Sequence, residues 1–174
     1  MSFWTENSLE PKRSFRFRLG SIEGLELSNT GKSPYWWNAK KVDKPSFSVS
    51  SSKYRLINHE INVPGIVSWN PISMEIVDVG KTVDSLLEQL QSFGYSPQVL
   101  GQDKGLAKTK GLDTIGNIRI EQIKGDGSVI ESWTLEGAFI TELRFGNLDY
   151  STDELVTINI TITYDYAYLT ELEV

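Results

Sequence analysis

The sequence predicts a mainly β protein: an antiparallel β-barrel or sandwich with one peripheral α-helix at about residues 82–93. Three observations carry this. Alternation of apolar and polar residues recurs along most of the chain. Only one segment switches to the helical period. The end of the chain holds the longest run of period two, Val156 to Tyr168.

Residues 1–11 are polar, with Phe3, Trp4 and Leu9 scattered among them and Pro11 at their close. They read as an N-terminal arm, because two large aromatics are wasted on a free tail. Residues 12–174 read as a single β domain. In residues 12–20, Phe15, Phe17 and Leu19 alternate with Ser14, Arg16 and Arg18, a half-buried strand. Residues 21–33 are rich in Gly, Ser and Asn and read as a loop.

Tyr35, Trp36 and Trp37 follow, then a Lys-rich turn around Asp43-Lys44-Pro45. Phe47 and Val49 alternate with Ser46, Ser48 and Ser50, a strand with serine on one face. Extended chain continues from Tyr54 to Ile66 around Asn58 and Pro64-Gly65. Over residues 67–79, Ile72, Met74 and Ile76 share one face, with Ser73 and Glu75 on the other.

Val83, Leu86, Leu87, Leu90 and Phe93 then form one face of a helix. Thr82 suits its N-cap, Asp84 its positive end and Gly94 its stop. Residues 101–114 are a Gly/Lys loop. After it come strands at 118–123, 129–135 and 139–145, the first two joined by Lys124-Gly125-Asp126-Gly127, whose Asp-Gly step favours a tight hairpin.

In the terminal run, Val156, Ile158, Ile160, Ile162, Tyr164, Tyr166 and Tyr168 alternate with Thr157, Asn159, Thr161, Thr163 and Asp165. At about 3.3 Å per residue one strand of this length spans roughly 43 Å, against a usual length of about 5–6 residues. An open edge that long invites aggregation, and pairing with strands of neighbouring subunits in a closed barrel removes it. The expectation is a ring with an inter-subunit barrel; a long central strand inside an ordinary sandwich is the alternative.

Composition narrows the function. The 174 residues carry a net charge of -6 and one histidine, His59, and no cysteine. Disulfides, zinc–thiolate sites and Cys nucleophiles are excluded, and a lone His leaves metal and general-base chemistry without partners. The acidic balance opposes gripping a nucleic-acid backbone and suits repelling one. No apolar run approaches the roughly 18–20 residues of a membrane span, and no apolar leader opens the chain, so a protein without membrane attachment or cleaved signal is expected. No P-loop, dinucleotide fingerprint or nucleophile elbow is present. The 23 acidic residues make carboxylate pairs inevitable, and none is marked as an acid/base pair. The expectation is no enzyme and no cofactor.

Three clusters remain open. Trp36 and Trp37 could stack on sugar, as in a monomeric carbohydrate-binding β-sandwich, but neighbours on a strand point to opposite faces. Lys40, Lys41 and Lys44, and Lys104, Lys108 and Lys110, could touch nucleic acid, lie in solvated loops, or pair with acidic patches of a neighbouring ring.

Three segments, in order, carry a resemblance. They are 37–45 (WNAKKVDKP); 59–65 (HEINVPG) with Trp69-Asn70-Pro71; and 133–139 (WTLEGAF) with 146–150 (GNLDY) and the terminal run ending Tyr164-Asp165-Tyr166-Ala167. With the single helix between the second and third, the chain resembles the tail tube proteins of contractile-tailed phages and related injection systems. The resemblance implies hexameric rings whose subunits each give four strands to an inner barrel, stacked into a tube inside a contractile sheath. It implies as partners other copies of the chain, the tail sheath protein, and baseplate and tail-terminator proteins. Genomic DNA would pass through the lumen without specific binding. The protein would then belong to the virion tail, assembled in the host cytoplasm. Candidate lumen-facing residues are Thr157, Asn159, Thr161, Thr163 and Asp165; candidate inter-ring contacts are Lys104, Lys108, Lys110 and Trp4. A tube carrying protein instead of DNA, or a baseplate tube-initiator, would share the fold.

Overall fold

A computed structural model describes residues 12–20, 37–80, 82–92, 94 and 116–170. The N-terminal arm with Trp4, the 21–33 loop, Tyr35, Trp36, Phe93 and the 101–114 loop with Lys104, Lys108 and Lys110 lie outside them.

The described chain forms ten strands and one helix, and all strand pairs are antiparallel. β1 is Phe17–Gly20, β2 Ala39–Val42, β3 Ser46–Leu56, β4 His59–Asn70 and β5 Ile72–Val77. Helix α1 is Thr82–Ser92. β6 is Ile118–Ile123, β7 Val129–Glu136, β8 Phe139–Arg144, β9 Thr157–Thr163 and β10 Tyr166–Thr170. Three sheets result, in the orders β1-β6-β7-β10, β2-β5-β9-β8 and β3-β4. The first two share one core and make a sandwich; no barrel closes among the described residues.

That core follows from the alternation. Leu19, Ile118, Ile120, Leu135 and Ala167 enter from the first sheet. Ile72, Met74, Ile76, Ile158, Ile160 and Ile162 enter from the second, paired across as Ile72–Ile162, Met74–Ile160 and Ile76–Ile158. Leu86 of α1 is fully buried in the same cluster, with Val83 packed against it. Gly94, at φ +109°, ends the helix as expected, its N–H donating to the Gln91 carbonyl at 2.9 Å. The Asp-Gly hairpin between β6 and β7 also forms, with Asp126 accepting both the N–H and the hydroxyl of Ser128.

Two expectations are corrected. The strand expected over residues 12–20 is only β1, because residues 14–15 form a turn and Phe15 is exposed. The unbroken terminal strand is in fact two strands in two sheets. β9 lies between β5 and β8, and β10 pairs with β7. The chain crosses between sheets at Tyr164-Asp165, where the Asp165 N–H donates to the Glu136 carbonyl at 2.9 Å. The link from β7 to β8 crosses beside it, through Gly137 at φ +65°. A side chain at Gly137 would collide with the Asp165 carboxylate. Inward parity changes at this corner: Tyr164 and Ala167 are buried, whereas Tyr166 and Tyr168 face solvent.

The longest strands are instead β3 and β4, of 11 and 12 residues. Among the described strands they pair only with each other. β3 alone extends about 36 Å at 3.3 Å per residue.

Candidate assembly surfaces

The hairpin of residues 46–70 stands on an aromatic stack. Phe47 packs edge-on against Trp69 with ring centroids 5.3 Å apart, and Trp69 packs against the buried Tyr164 at 5.9 Å. Above this base both faces meet solvent. Tyr54, Leu56, Ile61, Val63, Ile66 and Val67 are all exposed. Ile57 at the tip is 97% exposed and holds φ +37°, a left-handed conformation that costs a β-branched residue dearly. An isolated two-stranded hairpin is marginal in water, and apolar residues on such a ribbon mark a surface awaiting cover.

A bulge divides the hairpin. The register Val49–Val67 shifts to Ser51–Pro64, placing one extra residue on β4 opposite Ser50. β3 alternates without interruption, so Phe47 and Val49 lie on one face and Tyr54 and Leu56 on the other. The extra residue turns Val63 and Ile61 to the same side as Tyr54 and Leu56. The stem therefore presents its apolar side to its own domain, and the outer half presents an apolar side the opposite way.

The second surface is the outer face of the β2-β5-β9-β8 sheet. The structure brings four of the five candidate lumen residues together there: Thr157, Asn159, Thr161 and Thr163 line β9 opposite its buried isoleucines. Thr141, Glu142 and Arg144 of β8 flank them, as do Ser73 and Glu75 of β5. The Thr141 hydroxyl donates to the Thr161 carbonyl at 3.2 Å. Lys40 bonds Glu75 at 2.9 Å, and this donation holds the Glu75 carboxyl below its usual range. Arg144 bonds Glu142 at 2.7 Å. Asp165 does not join this row; it sits at the corner beside Gly137.

The acidic surplus is not on this face. Lys40, Lys41 and Arg144 face two carboxylates, Glu75 and Glu142, so its charge is close to balanced and slightly positive. Nothing in the sequence pairing pattern could assign the -6 to a face; only the strand register does.

A polar knot ties the start of the domain to the first sheet. Burial pushes the Glu131 carboxyl up, but donation by Lys12, Lys44 and Trp133 outweighs it and lowers the pKa to about 2. Lys44 also reaches Gln122 at 2.7 Å, and Gln122 donates to the Arg13 carbonyl at 3.2 Å. Lys44 precedes β3 by two residues, so the knot also fixes the root of the hairpin. His59, at the start of β4, is exposed and opposite Leu56. Trp37 is exposed. Among the described residues no group of three His, Cys, Asp or Glu side chains could hold a metal ion, and no helix is long and apolar enough to cross a membrane.

The architecture has solved counterparts. Over 97% of this chain and 99% of the other, it superimposes with a TM-score of 0.69 at 16% identity on a chain of the sheath–tube complex of the extracellular contractile injection system PVC in its extended state. A chain from the sheath/tube terminator of that system matches over 93% and 98%, with a TM-score of 0.66 at 17% identity. A chain from the tube-terminating cap of the anti-feeding prophage matches over 94% and 93%, with a TM-score of 0.65 at 17% identity. The chain has the fold of subunits from contractile injection assemblies. No family model matches it, and no curated protein matches it in sequence. The resemblance read from 37–45, 59–71 and 133–167 thus holds at the level of fold over nearly the whole chain.

Proposed function

We propose that this chain is a ring-forming tube subunit of a contractile tail or injection assembly, a structural protein without catalysis. The observation that carries the reading is the hairpin of residues 46–70, whose apolar outer half has no cover among the described residues. A second copy supplies that cover. The fold shared with injection-assembly subunits supports the same reading.

In this reading six copies close a ring, and rings stack into a tube. The polar face of Thr157, Asn159, Thr161 and Thr163 lines the lumen. Trp4, Lys104, Lys108 and Lys110 contribute to contacts between rings. A sheath protein surrounds the tube, and baseplate and terminator proteins close its ends. As part of a phage tail, the tube conducts DNA and belongs to the virion, assembled in the host cytoplasm. A protein-carrying conduit is a second reading, favoured by the balanced charge of the wall: it provides no net repulsion of a polyanion.

Negative-stain microscopy of the purified protein tests the assembly. Rings or hollow tubes are expected. A variant in which residues 51–64 are replaced by Asn-Gly should fold and remain unassembled. A wild-type protein that stays monomeric and binds glycans on an array would overturn the reading, and rings that never stack would favour a tube-initiator.

A further inference from the structure

Outside the hairpin, the three most exposed large apolar side chains among the described residues are Tyr150, Leu148 and Leu155. All three lie in one loop, residues 145–156, which joins β8 to β9. Its conformation is fixed locally. Pairing of Arg144 with Asn159 closes its neck. The Asp78 N–H donates to the Val156 carbonyl at 2.9 Å. Asp149 accepts the N–H and the hydroxyl of Ser151 at 2.9 and 2.8 Å. Apolar side chains held in water on an ordered loop mark a surface that a partner covers.

This loop and the hairpin stand at opposite ends of one sheet. The hairpin's second strand, β4, ends at Asn70, and β5 begins at Ile72, which pairs with Ile162. β5 ends at Val77, opposite Thr157, where the 145–156 loop enters β9. The two ends lie about 17 Å apart at 3.3 Å per residue. A surface at one end that fits a surface at the other joins copies head to tail, and such a contact propagates where it does not close.

We propose that the apolar side of the outer hairpin, formed by Tyr54, Leu56, Ile61 and Val63, receives the 145–156 loop of a second copy, and that this contact stacks one ring on the next. The inference rests on the ring-forming reading and adds the contact that gives the stack its direction. That side of the hairpin faces away from its own domain, and Leu148, Tyr150 and Leu155 give it an apolar partner. Charge favours the same pairing. Lys53 and Arg55 share one carboxylate, Glu60, at 3.2 and 3.1 Å, so two cations against one anion leave residues 51–64 net positive. The loop carries Asp149, Asp153 and Glu154 and no Lys or Arg. Opposite charges on the two segments steer their encounter. Two hairpins meeting by their apolar sides would instead bring like charges together, and about a two-fold axis they would close into a pair that cannot grow.

The chain has no cysteine, which permits a direct test. One chain carries Asn58→Cys at the hairpin tip, and a second, of different mass through a tag, carries Thr152→Cys in the loop; both positions are exposed. Mixed, assembled and treated with a short bis-maleimide, they should yield a species of the summed mass. Adding Leu148→Ser and Tyr150→Ser to the Thr152→Cys chain should lower that yield at least about tenfold. The Leu148→Ser/Tyr150→Ser variant alone should give single rings in place of tubes in negative stain, with the melting temperature unchanged. Tubes of wild-type length from this variant, or tubes without the link between positions 58 and 152, would overturn the contact and leave the ring-forming reading intact. A link between two Asn58→Cys chains in place of the mixed product would overturn the head-to-tail arrangement. The mixed link from a protein that never forms rings would uphold the contact and sink the ring instead, and the absence of both would sink both.

Discussion

Ser50 fills the space that a side chain at Gly65 would need. Its hydroxyl accepts the Ile66 N–H at 2.9 Å, and its carbonyl oxygen lies 3.2 Å from where a Cβ at Gly65 would stand. The pair fixes the bulge at which the hairpin's apolar side changes face.

Gly65→Val therefore forces the bulge open or shifts the register of the outer half. A one-residue slip of β4 would turn Ile61 and Val63 away from the side that Tyr54 and Leu56 occupy. The core lies elsewhere, so the melting temperature by circular dichroism should change by no more than a few degrees. Tube formation in negative stain should be lost. Wild-type tubes from Gly65→Val would refute the role given to the bulge.

The sequence made the sandwich legible wherever a residue type commits to one face. Ile72, Met74 and Ile76 against Ile158, Ile160 and Ile162 were readable because their wholly apolar side chains alternate with Ser73, Glu75, Asn159 and Thr161 on the other face. Tyrosine suits either face, having an apolar body and a polar tip. Tyr164, Tyr166 and Tyr168 therefore continued the alternation across a corner where the backbone changes sheets. That extension made one strand out of two that lie in different sheets. The hairpin that carries the assembly reading was hidden for a related reason: its turn is Ile57-Asn58 where Asn-Gly would announce one, and its outer half alternates apolar and polar residues as a buried strand does. Thr157 to Thr163 were placed correctly on one face, while Asp165 was carried along by the same false continuity.

Glu131 makes the domain acid-sensitive. Its folded pKa is about 2 against an unfolded value of 4.5. A depressed carboxyl stabilises the fold above the unfolded value and loses that contribution as pH falls from about 4.5 towards 2. The contribution is on the order of 2–3 kcal/mol. Thermal melts at pH 7 and pH 3 should show a larger drop for wild type than for Glu131→Gln, by about 4–8 °C. Equal drops would remove Glu131 from the account.

Gly137 holds the corner through which two strands change sheets. Gly137→Ala places a Cβ against the Asp165 carboxylate at a φ of +65° that L-residues rarely adopt. A loss of about 1–3 kcal/mol is expected from the backbone alone, more with the collision. Urea denaturation should show a lower midpoint with an unchanged slope. Gly80, also at positive φ but with open space around it, is the control: Gly80→Ala should cost less.

The face of β9 can be located by chemistry. Asn159 is exposed in the middle of the threonine row, and the chain has no cysteine to compete with one placed there. In free subunits, Asn159→Cys should react with a small maleimide and with a maleimide carrying a long polyethylene glycol chain. In assembled tubes the small reagent should still enter through open ends, and the large one should be excluded. Lys124→Cys, in the exposed β6–β7 turn outside this sheet, reports whether exclusion is specific to the row. If the large reagent labels position 159 in tubes as fast as in free subunits, the β9 face looks outward and the lumen lies against another part of the chain.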